Sequence, residues 1–229
     1  MTPMWRSIAI TCVLVAAPGA VVAQTVDDRP VRRFELAGGF GLLSGATLDK
    51  EDANLRANST PPQPFRLFTA ESLLTRAGAI EARVGYVLTR RYEVEARFAF
   101  GRPELRTTIS ADVEGAPGVT VMERVDQYVV DGALLVLFDE ARFVGVVPFA
   151  SAGAGYLRQL HEGLTVIESG RVYHVGGGLK RWLFARGEGL AKGAGLRADA
   201  RLYLLGGGVA VEDGLRPHSA ISGSFFVTF

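Results

Sequence analysis

The chain has 229 residues, with 25 basic and 24 acidic side chains, a formal charge of +1, 28 glycines and one cysteine. That balance disfavours nucleic-acid binding through a basic face, and a single cysteine excludes a disulfide framework. Beyond the N-terminal segment no stretch is long and apolar enough for a transmembrane helix, which needs about 20 residues, so any membrane crossing must use strands.

Residues 1–23 read as a cleavable signal peptide. Arg6 is the only charged side chain before Asp27, an apolar run follows from Ile8 to Ala17, and Pro18-Gly19 breaks it. Val21 and Ala23 then fit a cut just before Gln24. Cys12 lies inside this segment without the Leu-x-x-Cys setting of a lipoprotein, so the mature chain is expected to lack any thiol. Removing one Arg and no acid leaves 24 charges of each sign. Residues 24–229 suit one domain.

Strands with a period of two come next. Val31 to Leu43 sets Phe34, Leu36, Gly38, Phe40 and Leu42 on one face and Glu35 on the other. The stretch 44–77 is polar and loop-like, with Pro61, Pro62 and Pro64 and a charged run from Asp49 to Asp52. Within it Phe65, Leu67, Phe68, Leu73 and Leu74 suggest a short amphipathic element capping the fold. Long loops of this kind often carry function.

The clearest alternation follows. One face carries Ile80, Ala82, Val84, Tyr86 and Leu88, then Tyr92, Val94, Ala96, Phe98 and Phe100. The same pattern returns in Leu196, Ala198, Ala200, Leu202 and Leu204, and in Ile221, Gly223, Phe225, Val227 and Phe229. None of these 20 positions is charged. The 16 intervening positions include Glu81, Arg83, Glu93, Glu95, Arg97, Arg197, Asp199 and Arg201, four of each sign. Segments of about ten residues with this alternation have the length of tilted membrane strands.

Between them, Val121 to Phe138 reads as a strand with Tyr128, Val130, Gly132, Leu134, Val136 and Phe138 opposite Gln127, Val129 and Asp131. Phe143 to Arg158 and Arg171 to Trp182 are Gly-rich, and their faces are ambiguous. Eight strands result, an even number as single-chain bacterial barrels require. Thr89-Arg90-Arg91 and Asp139-Glu140-Ala141 are short turns, whereas 44–77, 103–120, 159–170 and 206–217 are long loops. The segment Ala185 to Gly193 is a rather long turn for its side.

A soluble barrel turns its apolar face inward; a membrane barrel reverses it. The balanced charges suit an enclosed lumen in which each ion needs a partner. Aromatics near strand ends (Phe34, Tyr92, Phe138, Phe143, Phe229) suit an interfacial girdle. Both favour an all-β, eight-stranded antiparallel up-and-down transmembrane barrel over a soluble periplasmic binding barrel. Its lumen is expected to be filled by side chains, since a porin needs about 16 strands. A three-residue hairpin loop, Leu88 to Arg90, would set Arg83 against Glu95 and Glu81 against Arg97. The register two residues away sets Arg83 against Arg97, and directly opposed like charges are unfavourable, so the first is expected.

Three histidines remain to be weighed: His161, His174 and His218. His161 is beside Glu162, and His174 reads as a satisfied lumen or rim residue. His218-Ser219 is the one nucleophile-base candidate, but adjacent strand residues point to opposite faces. Val175-Gly176-Gly177-Gly178-Leu179 lacks the strand-to-helix context and following Lys of a phosphate loop. No metal spacing appears. Catalytic residues, cofactors and metals are therefore not expected.

Two segments and the C-terminus carry a family resemblance. Phe225, Val227 and Phe229 resemble the C-terminal signal read by the barrel-assembly machinery. Pro148-Phe149 with Gly153-Ala154-Gly155-Tyr156, and Gly195 to Arg201, resemble the fifth and seventh strands of the outer-membrane protein A and X group. The resemblance implies an eight-stranded barrel in the outer membrane with periplasmic termini, among lipid and lipopolysaccharide. No peptidoglycan-binding domain follows, so cell-wall tethering is not implied. The outer-membrane lipid A deacylases, with a Ser-His-acid set, have one residue between His and Ser; here the two are adjacent. The expected role is structural, through envelope integrity or surface-exposed loops, with lipid A modification as the rival.

Overall fold

The computed structural model describes residues 34–56, 64–161, 167–185, 189–208 and 215–229. The expected signal peptide, residues 1–23, and residues 31–33 of the first expected strand lie outside them. Eight strands close the barrel: β1 (Phe34–Leu43), β4 (Ala77–Val87), β5 (Tyr92–Gly101), β7 (Val119–Leu137), β8 (Val146–His161), β9 (Ile167–Ala185), β10 (Gly193–Gly207) and β11 (Leu215–Thr228). Each pairs antiparallel with its neighbours, and β1 pairs with β11. Three further strands, β2 (Ala46–Arg56), β3 (Pro64–Leu74) and β6 (Glu104–Ser110), extend the outer part of β7 into a second sheet.

The register fixes the barrel's geometry. Crossing the strands from Phe34 passes through Tyr86, Val94, Leu134, Ala152, Val175, Leu202 and Ser219. The Ser44 amide then donates to the Ser219 carbonyl, so the circuit returns to the first strand's line ten residues beyond its start, at Ser44. For eight strands that stagger corresponds to a tilt of about 40°. An interior of this size is just wide enough for side chains to fill.

Face polarity is inside out. Ile80, Val84, Val94, Phe98, Leu196, Leu202, Ile221 and Phe225 are exposed, while residues on the alternate face, among them Glu81, Arg83, Glu95, Arg97, Arg197, Asp199, Arg201 and Ser224, are buried. This arrangement rules out a soluble barrel with an apolar interior. Phe34, Tyr86, Tyr92 and Phe138 ring the end that holds the described termini, where the Phe229 amide donates to the Phe34 carbonyl. Phe34 and Tyr86 meet edge to face at 5.1 Å. A second aromatic ring, unforeseen in the sequence, lies at the loop end: Phe100, Tyr128, Tyr156 and Tyr173. About nine residues of tilted strand separate the two rings, or roughly 25 Å, the height of a lipid-facing band.

The β4–β5 register departs from expectation. Val87 faces Glu93, and Arg83 stands opposite Arg97. The turn is longer than expected: the Leu88 and Thr89 amides donate to the Tyr92 carbonyl, and Thr89 Oγ1 accepts from the amides of Arg91 and Tyr92. The pairwise charge rule failed because both arginines donate to Glu81 and each finds a further carboxylate on another strand, Asp199 on β10 for Arg83 and Asp131 on β7 for Arg97.

The long loops are also more ordered than expected. Stretch 44–77 contains the β2–β3 hairpin, and 103–120 contains β6 and the start of β7. Phe65 to Leu74 belongs to strand β3, of which Leu74 is buried at the mouth of the barrel. Strand β8 continues to His161 and β9 begins at Ile167, which leaves 162–166, outside the described residues, as the connection. Likewise β10 runs to Gly207 and β11 begins at Leu215. Asp139–Ala141 forms a single 3-10 turn inside a longer link.

Candidate functional site: the lumen charge network

Two apolar layers bracket a charged middle. At the terminal end Ala133, Leu135, Leu137, Val147 and Phe149 pack together with Trp182, which meets Phe226 edge to face at 5.3 Å. Toward the loops Ala99, Val129, Leu157, Val172, Tyr203 and Ala220 form the second layer, joined by Leu43 and Leu205. Beside the lower layer lie Glu35, Glu93 and Lys180, and between the two layers lie Glu81, Glu95, Asp131 and Asp199 with Arg83, Arg97, Arg197 and Arg201, six carboxylates and five cations in all, every one buried.

Lys180 forms the lower cluster. Its Nζ donates to Glu35 Oε1 and Oε2 at 2.8 and 2.9 Å and to Glu93 Oε2 at 2.8 Å. It also lies 5.5 Å from the centre of the Phe226 ring. A fully enclosed ammonium needs such partners, because an unpaired buried charge is strongly unfavourable.

The upper cluster is continuous across the pore. Arg83 donates to Glu81, to Asp199 Oδ2 at 2.8 Å and to Ser222 Oγ at 2.9 Å. Arg97 donates to Glu81 Oε1 at 2.9 Å and through Nε to Asp131 Oδ2 at 2.8 Å. Arg197 donates to Glu95 and to Asp199 Oδ1 at 2.8 Å, while Arg201 Nη2 reaches Glu95 and Asp199 at 3.2 Å each. His174 Nε2 lies 3.2 Å from Asp131 Oδ1. Arg197 lies over the Phe149 ring at 4.6 Å, and Arg97 over Tyr203 at 5.2 Å.

The eight network residues read from the sequence divide between the clusters, with Glu93 in the lower one and the other seven above. Four partners were missed, Glu35, Asp131, Lys180 and Tyr203, whereas His174, read as a satisfied lumen or rim residue, is buried beside Asp131. Glu35 and Asp131 did lie on charged faces of alternating strands. Lys180 and His174 lie in β9, where inward positions are partly glycine. Gly178 stands opposite Phe149, and a Cβ there would meet the Phe149 ring at 2.7 Å. The missing side chains make room for the large ones.

Other sequence candidates are dispersed. His218 points inward and is buried, whereas Ser219 is exposed on the outer face and its amide donates to Ser44 Oγ. They cannot act as a couple. His161 lies beside Glu123, with Nδ1 at 3.0 Å from Oε1. Phe225 is exposed, and Val227 and Phe229 are half-buried. A small cavity opens at the loop end of the lumen, lined mainly by apolar groups such as Leu43, Leu74, Pro103 and Val129, with Arg97 and Tyr203 also lining it.

No protein-family model matches the chain, and no curated protein matches it in sequence. Solved structures do. Neisserial surface protein A aligns over 86% of this chain and 97% of its own, with 13% identity and a TM-score of 0.51. The outer membrane protein OprG from Pseudomonas aeruginosa aligns over 88% and 97%, with 10% identity and a TM-score of 0.51. At these identities the likeness establishes the fold, that of an outer-membrane β-barrel.

Proposed function

We propose that this chain is a structural barrel of a bacterial outer membrane, closed to general diffusion, which contributes to envelope integrity or surface interaction through its loop-end sheet. The observation that carries this reading is the filled lumen: an ion network reaches across the pore between two apolar layers. The apolar outer band between two aromatic rings supports placement in lipid. In this reading the termini face the periplasm, Phe225, Val227 and Phe229 are read by the barrel-assembly machinery, and β2, β3 and β6 stand at the cell surface among lipopolysaccharide. The test is to refold the chain into planar bilayers and record current. The reading expects heat-modifiable electrophoretic mobility, the mark of a folded barrel, with no steady ohmic conductance. A stable open channel of porin size would overturn it.

A further inference from the structure

Arg158 on β8 and Arg171 on β9 project outward just beyond the loop-end aromatic ring, and both are exposed. In the β8–β9 ladder Arg158 stands opposite Ser169, and Tyr156 stands opposite Arg171. The four side chains therefore occupy the corners of one outward patch on two adjacent strands. The arginines lie on one diagonal of it, a separation that long side chains span. Along the other diagonal the Tyr156 hydroxyl donates to Ser169 Oγ, which sets two linked hydroxyls between the guanidinium groups. The Ser169 hydroxyl, accepting from Tyr156, keeps its own proton for a further acceptor.

The strands on either side do not neutralise this patch. Tyr128 on β7 stands opposite Arg158, and Gly206 on β10 stands opposite Arg171. The outward carboxylate of β7, Asp126, is held by Arg102 at 2.8 Å. Neither Arg158 nor Arg171 forms an ion pair among the described residues. Two such charges are costly against hydrocarbon and well placed just above it, where aliphatic stems lie on apolar surface and guanidinium groups reach the headgroups. Each guanidinium matches a phosphate with two parallel donors. A phosphate monoester carries a charge of about −1.5 to −2 at neutral pH and three strong acceptor oxygens. It therefore balances both arginines and still has an oxygen for Ser169, whereas a phosphodiester offers less charge and fewer free oxygens.

We propose that this β8–β9 patch binds a single phosphate monoester of an outer-leaflet glycolipid, held between Arg158 and Arg171 with the Ser169 hydroxyl donating to it. The inference rests on the reading that the loop end faces the outer leaflet. It is tested in neutral detergent micelles by native mass spectrometry. Lipid A carrying two, one or no phosphates, and phosphatidylglycerol, are titrated onto the refolded chain. The form with one phosphate should bind within about threefold of the form with two, and at least about tenfold more tightly than the dephosphorylated form or phosphatidylglycerol. R158Q/R171Q should weaken it about tenfold and S169A about threefold. R76Q/R102Q, which removes two exposed arginines from the β4–β5 part of the rim, should leave it unchanged. Equal binding of the dephosphorylated form or of phosphatidylglycerol overturns the proposal. So does wild-type affinity in R158Q/R171Q, or an equal loss in R76Q/R102Q, the mark of general charge attraction. Heat-modifiable mobility of each variant verifies that it is folded. Insertion of the wild type into phosphatidylcholine vesicles is scored in parallel. Failure to insert defeats the membrane reading itself, whereas insertion without a preference for the phosphate defeats only the β8–β9 site.

Discussion

Arg83 and Arg97 stand directly opposite each other across the β4–β5 ladder, and both donate to Glu81. Asp199 and Asp131 take their remaining donors from the far sides. A like-charge pair that would weaken an open sheet is thus absorbed by a closed one, because the barrel brings carboxylates from β7 and β10 into the same space. Two-strand reasoning does not contain those partners.

Glu81 should therefore matter more than an ordinary buried carboxylate. Glu81→Gln leaves two opposed guanidinium groups without their shared acceptor, and breaking a buried ion pair costs about 3–5 kcal/mol. Urea unfolding of the refolded barrel measures it. The double variant E81Q/R97Q should cost less than the sum of the single ones, because the residues share one network.

Lys180 offers an independent test at the lower cluster. Lys180→Met keeps the length of the side chain but strands Glu35 and Glu93 as neighbouring buried carboxylates. A loss of about 3–5 kcal/mol is expected. The triple variant K180M/E35Q/E93Q should recover a substantial part of it, since it removes the charges together. Without that recovery, electrostatics is not what Lys180 contributes.

Gly178 tests how the lumen is filled. Gly178→Ala places a methyl group against the Phe149 ring and the Ala198 carbonyl. Overpacking of this kind costs about 1–3 kcal/mol. The exposed glycine Gly78, whose Cβ would meet nothing within 4 Å, should accept the same change with little effect on unfolding.

Much of the barrel was legible where charge and apolar side chain alternate, as in β4, β5, β10 and β11. Strands β8 and β9 were harder to read. Their inward positions include Ser151, Gly153, Gly155, Gly176 and Gly178, kept small so that Asp131, His174, Arg201 and Phe149 fit beside them. Small residues carry no face signal. Strands β2, β3 and β6 were hidden for another reason. They continue the outer end of β7 beyond the barrel and need no consistently buried face. The loop-end aromatic ring escaped notice because its members come together only through the stagger of the strands.

That second sheet should be dispensable for folding. Replacing residues 47–73 with a short turn removes β2 and most of β3, leaving all eight barrel strands intact. Heat-modifiable mobility should persist, with stability reduced by the loss of Leu48, which lines the loop-end mouth and whose carbonyl accepts from Arg216. Loss of the folded band would show instead that the sheet is part of the folding unit.

The central claim, a barrel with its apolar face toward lipid and its charges enclosed, is tested most directly by spin-label scanning of β10. Cys12 is the only native cysteine and precedes the barrel, so single cysteines can be placed in a chain beginning at Gln24. In phosphatidylcholine vesicles, labels at Leu196, Ala198, Ala200 and Leu202 should collide freely with dissolved oxygen and be shielded from a water-soluble nickel chelate. A label at Tyr203, inside the upper apolar layer, should be shielded from both. The opposite pattern, or none with a period of two along the strand, would contradict the account.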